Sequence, residues 1–233
     1  MDIGRAVSYI FEDREWTPKL LLMAGIALAG LIGLIFLGLG PIIAWSLLLG
    51  YAVELVRNVR DNHPIPLPRW DNYAEKFRKG GSVLAAVFVY NLPNLLPACC
   101  YLTTAPFWRD NFFGSAIGFA VVCCILPLIL IYNVITWPML ALGLARFADE
   151  ENIGVFFQFG DLFRTAYRGG GLTITLQWVL YSFIANFVLS IVAAVPCIGW
   201  AAAPALAVPI HGHLVAQYAA RVDEVPRVKK KKR

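Results

Sequence analysis

Four long stretches of this chain carry no Asp, Glu, Lys or Arg: residues 20–53, 80–108, 111–145 and 169–220. A helix crossing a hydrocarbon core needs about 20 apolar residues at ~1.5 Å each, so the last stretch holds two crossings and the others one or two. As a single helix 20–53 would reach roughly 50 Å, against a core of about 30 Å, and it must break. Gly38, Gly40 and Pro41 supply the turn. The pattern predicts an all-α, polytopic membrane bundle in one integral membrane domain, with spans 1 and 2 in 20–61, span 3 at 82–106, span 4 at 112–148, span 5 at 172–195 and span 6 at 200–220. Asn91, Pro93, Asn94 and Pro97 are expected to break the outer half of span 3, because each proline removes a helix hydrogen bond. Span 4 is either one helix kinked at Pro127 and Pro138 or a crossing with a re-entrant first section. Pro204 and Pro209 interrupt span 6.

Amphipathic segments separate the apolar runs. Residues 2–15 place Ile3, Val7, Ile10 and Phe11 on one helical stripe, which predicts an interfacial helix. Trp16 then sits at headgroup depth, and Lys19 marks the charged end of span 1. Residues 70–81 read Trp-Asp-Asn-Tyr-Ala-Glu-Lys-Phe-Arg-Lys-Gly-Gly, and residues 160–171 read Gly-Asp-Leu-Phe-Arg-Thr-Ala-Tyr-Arg-Gly-Gly-Gly. The two share an acid (Asp71, Asp161), two aromatics (Tyr73 and Phe77, Phe163 and Tyr167), an arginine (Arg78, Arg168) and closing glycines. They predict surface helices at 69–79 and 153–168, each between a descending and an ascending span. That order gives two parallel internal repeats. Gly80 and Gly81 are expected to release the chain from the first surface helix into span 3. In span 1, Gly25, Ala29 and Gly33 form a small-residue face suited to close helix packing.

At 59% hydrophobic and 15% charged, the 233-residue chain is too apolar for an ordinary soluble domain, where about a quarter of residues are charged. Its net charge of +5 is a topology signal, since all of its 20 Lys and Arg except Arg109 lie in the termini or in the two loops that hold the echo segments. The expectation is a cytoplasmic membrane protein with both termini inside and no nucleic-acid partner. No cleavable signal peptide is apparent. The basic tail, 221–233, with Arg227, Lys229, Lys230, Lys231, Lys232 and Arg233, fits contact with anionic lipid headgroups at the cytoplasmic face.

The Leu-Pro-x-Trp-Asp stretch at 67–71 follows a span that ends in Tyr51 and Arg57, and Asp13-Arg-Glu-Trp16 precedes span 1. Together with the hydropathy pattern, these resemble the DUF4013 family of multi-span proteins from bacteria and archaea. The resemblance covers most of the chain. It implies a fold and a prokaryotic membrane location, with no activity and no functional residues to carry over. The second echo departs from the first in having Gly160 where Trp70 stands.

Candidate chemistry is sparse. His211 and His213 are ionisable groups within a predicted span and so are candidate cofactor ligands, but two residues apart on a helix they point about 200° away from each other, which favours a packing role. No cofactor is expected. Asn91, Asn94 and His211 define a possible polar path through the membrane. Cys99, Cys100, Cys123, Cys124 and Cys197 lack zinc spacing and fit helix packing. Asp71 and Asp161 suit helix capping or pairing with an arginine such as Arg57 or Arg146. There is no nucleophile elbow, phosphate loop or carboxylate pair at catalytic spacing. The sequence therefore points away from an enzyme and toward a structural or accessory subunit of a membrane complex, or a lipid-interacting scaffold, that contacts lipids, other membrane subunits or copies of itself. The alternative is a transporter or channel-like protein for a lipid or small solute, with a midplane site between the repeats.

Overall fold

The first apolar run turns where its glycines and proline sit. Helices α1 (Ile3–Glu12) and α2 (Trp16–Leu37) lead to Gly38, which takes the left-handed φ of 69° that caps α2, and Pro41 occupies the first turn of α3 (Gly40–Arg60). The computed structural model describes residues 1–109 and 112–224. The remaining elements are α4 (Tyr73–Arg109), α5 (Phe112–Glu150), a 3-10 turn at Ile153–Phe157, α6 (Phe159–Tyr167), α7 (Gly171–Ala193) and α8 (Ile198–Asp223). No strand occurs among the described residues. Five stretches are long and apolar enough to cross a membrane: Trp16–Leu34, Gly40–Arg60, Gly118–Glu150, Gly171–Ala193 and Ile198–Asp223. The chain is an all-helical membrane protein.

Helices α3 and α8 form the centre. They pack against each other, both touch α2 and α5, and α4 and α7 lie against α3 and α8 respectively. Tyr51, Leu55 and Val56 of α3 and Leu214 and Tyr218 of α8 are fully buried there. The closest contact is between α3 and α4. A β-carbon at Gly80 would overlap the carbonyl oxygen of Ser46, and one at Gly50 would overlap that of Lys76. Glycine at both places lets the two backbones touch, as small residues do at membrane helix crossings.

That contact corrects the expected surface helix at 69–79. The helix does not end at Gly80 and Gly81 but runs unbroken from Tyr73 to Arg109, because Gly80 serves a close approach rather than a turn. The second echo segment does break. Arg168 leaves helical geometry, Gly169 takes a left-handed φ of 63°, and the 3-10 turn and α6 lie between α5 and α7. Two similar sequences thus fold differently, according to whether their closing glycines meet a facing helix.

The prolines also behave differently from expectation. The outer half of α4 stays helical through Pro93 and Pro97. Nearby, Tyr132 Oη donates to the Tyr90 carbonyl (2.8 Å) and Asn91 Nδ2 to the Val87 carbonyl (2.8 Å), so side chains supplement the backbone ladder of this segment. Helix α5 passes through Pro127 and Pro138 as one element, without a re-entrant section among its described residues. Pro138 has no N–H for the carbonyl of Val134, four residues earlier. Tyr167 Oη supplies that bond at 3.0 Å and also donates to Ile135 O at 2.9 Å. Helix α8 likewise continues through Pro204 and Pro209.

Helix α1 lies on α8 through Ala6, Tyr9 and Ile10, while Val7 and Phe11 of the predicted stripe face outward. In the α2–α3 hairpin, Gly30 backs onto Ala44 and Gly33 onto Gly40, whereas Gly25 faces open space. Of the predicted small-residue face only Gly33 packs within the chain, since Ala29 is exposed like Gly25 and the hairpin uses Gly30 instead.

Gly80→Ala is expected to cost about 1–3 kcal/mol by forcing α3 and α4 apart, while Gly25→Ala is neutral or slightly stabilising; denaturation in mixed micelles checks both. Tyr167→Phe is expected to cost about 1 kcal/mol in the native sequence and less beside Pro138→Ala, which restores the missing N–H. Equal costs in the two backgrounds, measured the same way, would refute the assignment of Tyr167 to that gap.

Candidate functional site

The two motif segments meet at one end of the bundle. In the turn between α1 and α2, Asp13 and Lys19 form an ion pair at 2.6 Å with side chains only 5% and 8% exposed. Asp13 also accepts from the Glu15 amide (2.8 Å), and Lys19 Nζ donates to the Leu67 carbonyl (2.9 Å). Trp70 Nε1 donates to the carbonyl of Lys19 (3.2 Å), and the indole ring stacks on Tyr51 at 4.8 Å and Tyr73 at 6.0 Å. Residues 13–19 and 67–71 are therefore one cluster, closed over α3. Removing one partner of a buried pair leaves an uncompensated charge, so Asp13 and Lys19 depend on each other.

A second layer of charge surrounds it. Lys76, almost fully buried beside Gly50, pairs with Glu54 and with Asp71 (3.3 Å). Lys79 reaches Glu75 and Glu151, each at 2.7 Å, and Arg57 and Arg78 also approach Glu151 at 3.7 Å. Hydrogen bonds from Lys79 hold the Glu75 and Glu151 carboxyls below the ordinary carboxylate range. Burial works to lower the Lys79 ammonium, but its bonds to the two acids outweigh that and raise it. Arg60 bridges Asp149 and Asp223 and donates to the Ala145 carbonyl, joining the ends of α3, α5 and α8. Arg146 binds Asp161 at 2.7 Å and Thr165 at 3.1 Å, which fixes α6 to α5.

An open cavity of about 660 Å³ lies beside this collar, lined in part by Glu15, Lys19, Glu54, His63 and Asp71. Arg14 and Arg69 also line it, and among the described residues neither has an acidic partner. Around the collar, Tyr73, Phe77 and Phe163 are nearly half exposed; on α4 Lys76 and Lys79 face in, whereas α6 buries Leu162 and Ala166 and leaves Asp161 and Arg164 exposed. Arg78 joins the Glu151 cluster, and Arg168 caps α6.

The other candidates are scattered. Asn91, Asn94 and Asn133 bond to one another across α4 and α5 at 3.1–3.3 Å, and Asn133 also donates to the Ile129 carbonyl. No hydrogen bond among the described residues joins His211 to them. His213 pairs through Nδ1 with Gln217 (2.8 Å) and packs its ring at a tilt against Tyr9, with centroids 4.5 Å apart, while Gln217 brackets the backbone of Asp2. Cys123 and Cys124 are exposed on α5 and Cys197 is exposed in the turn before α8, rather than packed between helices. Among the described residues no three His, Cys, Asp or Glu side chains lie close enough to hold a metal ion. The tail cations Arg227, Lys229, Lys230, Lys231, Lys232 and Arg233 lie outside the described residues.

Sequence reasoning missed the burial of Lys19 and Lys76 and the role of Glu151. The one available signal was Glu54, a lone acid at the end of an apolar run. The carboxyl of Glu151 is depressed in the folded protein, so its contribution is full above the ordinary carboxylate value and is lost as pH falls through the depressed one. Glu151→Gln is therefore expected to lower the melting temperature at neutral pH, with the gap from the native protein closing as the medium is acidified. Thermal unfolding in detergent across pH reads this, and a gap that widens in acid would contradict the assignment.

Comparison with curated proteins gives no match, and comparison with solved structures gives none. A family model described as a protein of unknown function matches residues 20–198, the stretch that contains Lys19's neighbours on α2, the 67–71 motif and both echo segments. That match spans most of the bundle, and the chain belongs to the DUF4013 family.

Proposed function

We propose that this chain is a non-catalytic component of a prokaryotic cytoplasmic membrane, a structural or accessory protein that engages lipid headgroups at its charged end. The observation that supports the reading most is the pairing within the collar. Asp13 is paired with Lys19, Glu54 with Lys76 and Glu151 with Lys79, which suits a rigid platform more than a reacting centre, and Arg14 and Arg69 remain at the cavity without acidic partners. Two cations beside outward-facing aromatics, at the end of a membrane bundle, match an anionic headgroup.

In this reading α4 is a sixth span, both termini face the cytoplasm, and α3–α4 and α5–α7 are two parallel repeats that have diverged at their glycines. The positive-inside distribution of Lys and Arg supports the orientation. A solute path through Asn91, Asn94 and His211 has less support, because the asparagine amides satisfy each other.

The experiment is native mass spectrometry of protein drawn gently from its own membranes into nanodiscs. Stoichiometric anionic phospholipid or a protein subunit is expected to remain bound. Arg14→Ala with Arg69→Ala is expected to reduce anionic lipid retention roughly tenfold without changing zwitterionic lipid. A protein that emerges monomeric and free of both lipid and partner would end the proposal.

A further inference from the structure

A second cavity, of about 740 Å³, opens at the far end of the bundle from the charged collar, between α2, α3, α7 and α8. Its size falls within the roughly 300–1,000 Å³ of small-ligand pockets. Small residues make the space: Gly30 and Ala44 on one side, Ala193, Ala203 and Ala207 on the other. Trp45 and Trp200, about half exposed, stand near the α2–α3 and α7–α8 turns, where indole rings mark a membrane interface. The neighbouring outer surface carries exposed Leu31, Ile42 and Ile191, so the cavity is continuous with the face the bundle presents to hydrocarbon.

One wall is not apolar. Asn186 and Ser190 lie one turn apart on α7. Asn186 Nδ2 donates to the Ser182 carbonyl (2.9 Å) and Ser190 Oγ to the Phe187 carbonyl (2.7 Å). Each bond uses one hydrogen, leaving the Asn186 carbonyl, its second amide hydrogen and the Ser190 lone pairs available. A mainly apolar slot with a short polar stripe below a tryptophan rim matches a chain with an ester at its upper end.

We propose that this cavity binds one glycerolipid from the leaflet opposite the charged collar, with an acyl chain between α2, α3, α7 and α8 and its ester and glycerol oxygens against Asn186 and Ser190. The inference rests on the membrane-lipid reading above and adds a second site to it. A chain from the surrounding bilayer is the suitable occupant because water is disfavoured against these alanines and the cavity adjoins lipid directly.

The test uses the full-length protein in nanodiscs containing a phospholipid with a diazirine on one acyl chain. The nanodiscs are first exchanged into unlabelled lipid and then illuminated, and peptide mapping is expected to find labels on both walls, at Ala27, Leu31 and Ala207, from probe that stayed in the cavity through the exchange. Labels at Phe183 and Phe187, on the outward face of α7, are expected only when illumination precedes the exchange. Ala207→Phe, or Ala203→Leu nearer the rim should the first variant not fold, is expected to cut the persistent labelling roughly tenfold and leave the outward labelling unchanged. Equal turnover at both faces, or unchanged labelling in a folded filling variant, overturns the site. Anionic lipid retention at Arg14 and Arg69 is read in the same preparation, so loss of the cavity lipid with retention there rejects this site alone.

Discussion

The bundle depends on the crossing of α3 and α4 at Gly50 and Gly80, where two backbones approach too closely for any side chain. In hydrocarbon there is little hydrophobic gain from bringing helices together, so contact must come from packing and hydrogen bonding. A glycine pair gives both, allowing dispersion contact along the crossing and Cα–H groups near opposing carbonyls. The crossing also sets the charged end. Lys76 lies one turn from Gly80 and Glu54 one turn from Gly50, so close approach of the glycines places the ammonium against the carboxylate under cover of both helices.

From that anchor the collar follows. Once α4 is fixed on α3, the 67–71 stretch is drawn over Tyr51, and Trp70 can reach the carbonyl of Lys19. Lys19 in turn is held by Asp13, which ties α1 to the same corner. Glu151 at the end of α5 gathers Arg57, Arg78 and Lys79. Lys19, Arg60, Lys79 and Arg146, at or near helix ends, each tie one element to another.

The two echo segments show how similar residues take different roles. In the first, aromatics face outward and the lysines are buried beneath; in the second, Tyr167 turns back to α5 and fills the hydrogen-bond gap left by Pro138. The acids differ too, Asp71 meeting a lysine of the helix that follows it and Asp161 an arginine of α5. A shared pattern fixes which side of a helix is polar, but the facing helix determines what that side touches.

The sequence by itself determined the class of fold, the turn at Gly38 and the concentration of charge at one end, because each follows from hydropathy or local backbone chemistry. It also held the family, whose match over residues 20–198 includes Leu67, Trp70 and Asp71. Only the tertiary structure decided that Gly80 continues a helix while Gly169 breaks one, that α4, α5 and α8 continue through their prolines, and that Lys19 and Lys76 are buried. It also placed the alanines of α7 and α8 around a cavity. These depend on contacts between residues up to hundreds of positions apart, such as Asp2 with Gln217 and Tyr9 with Pro209. A local pattern states what a residue prefers; its neighbour across the bundle, fixed only on folding, states which preference is met.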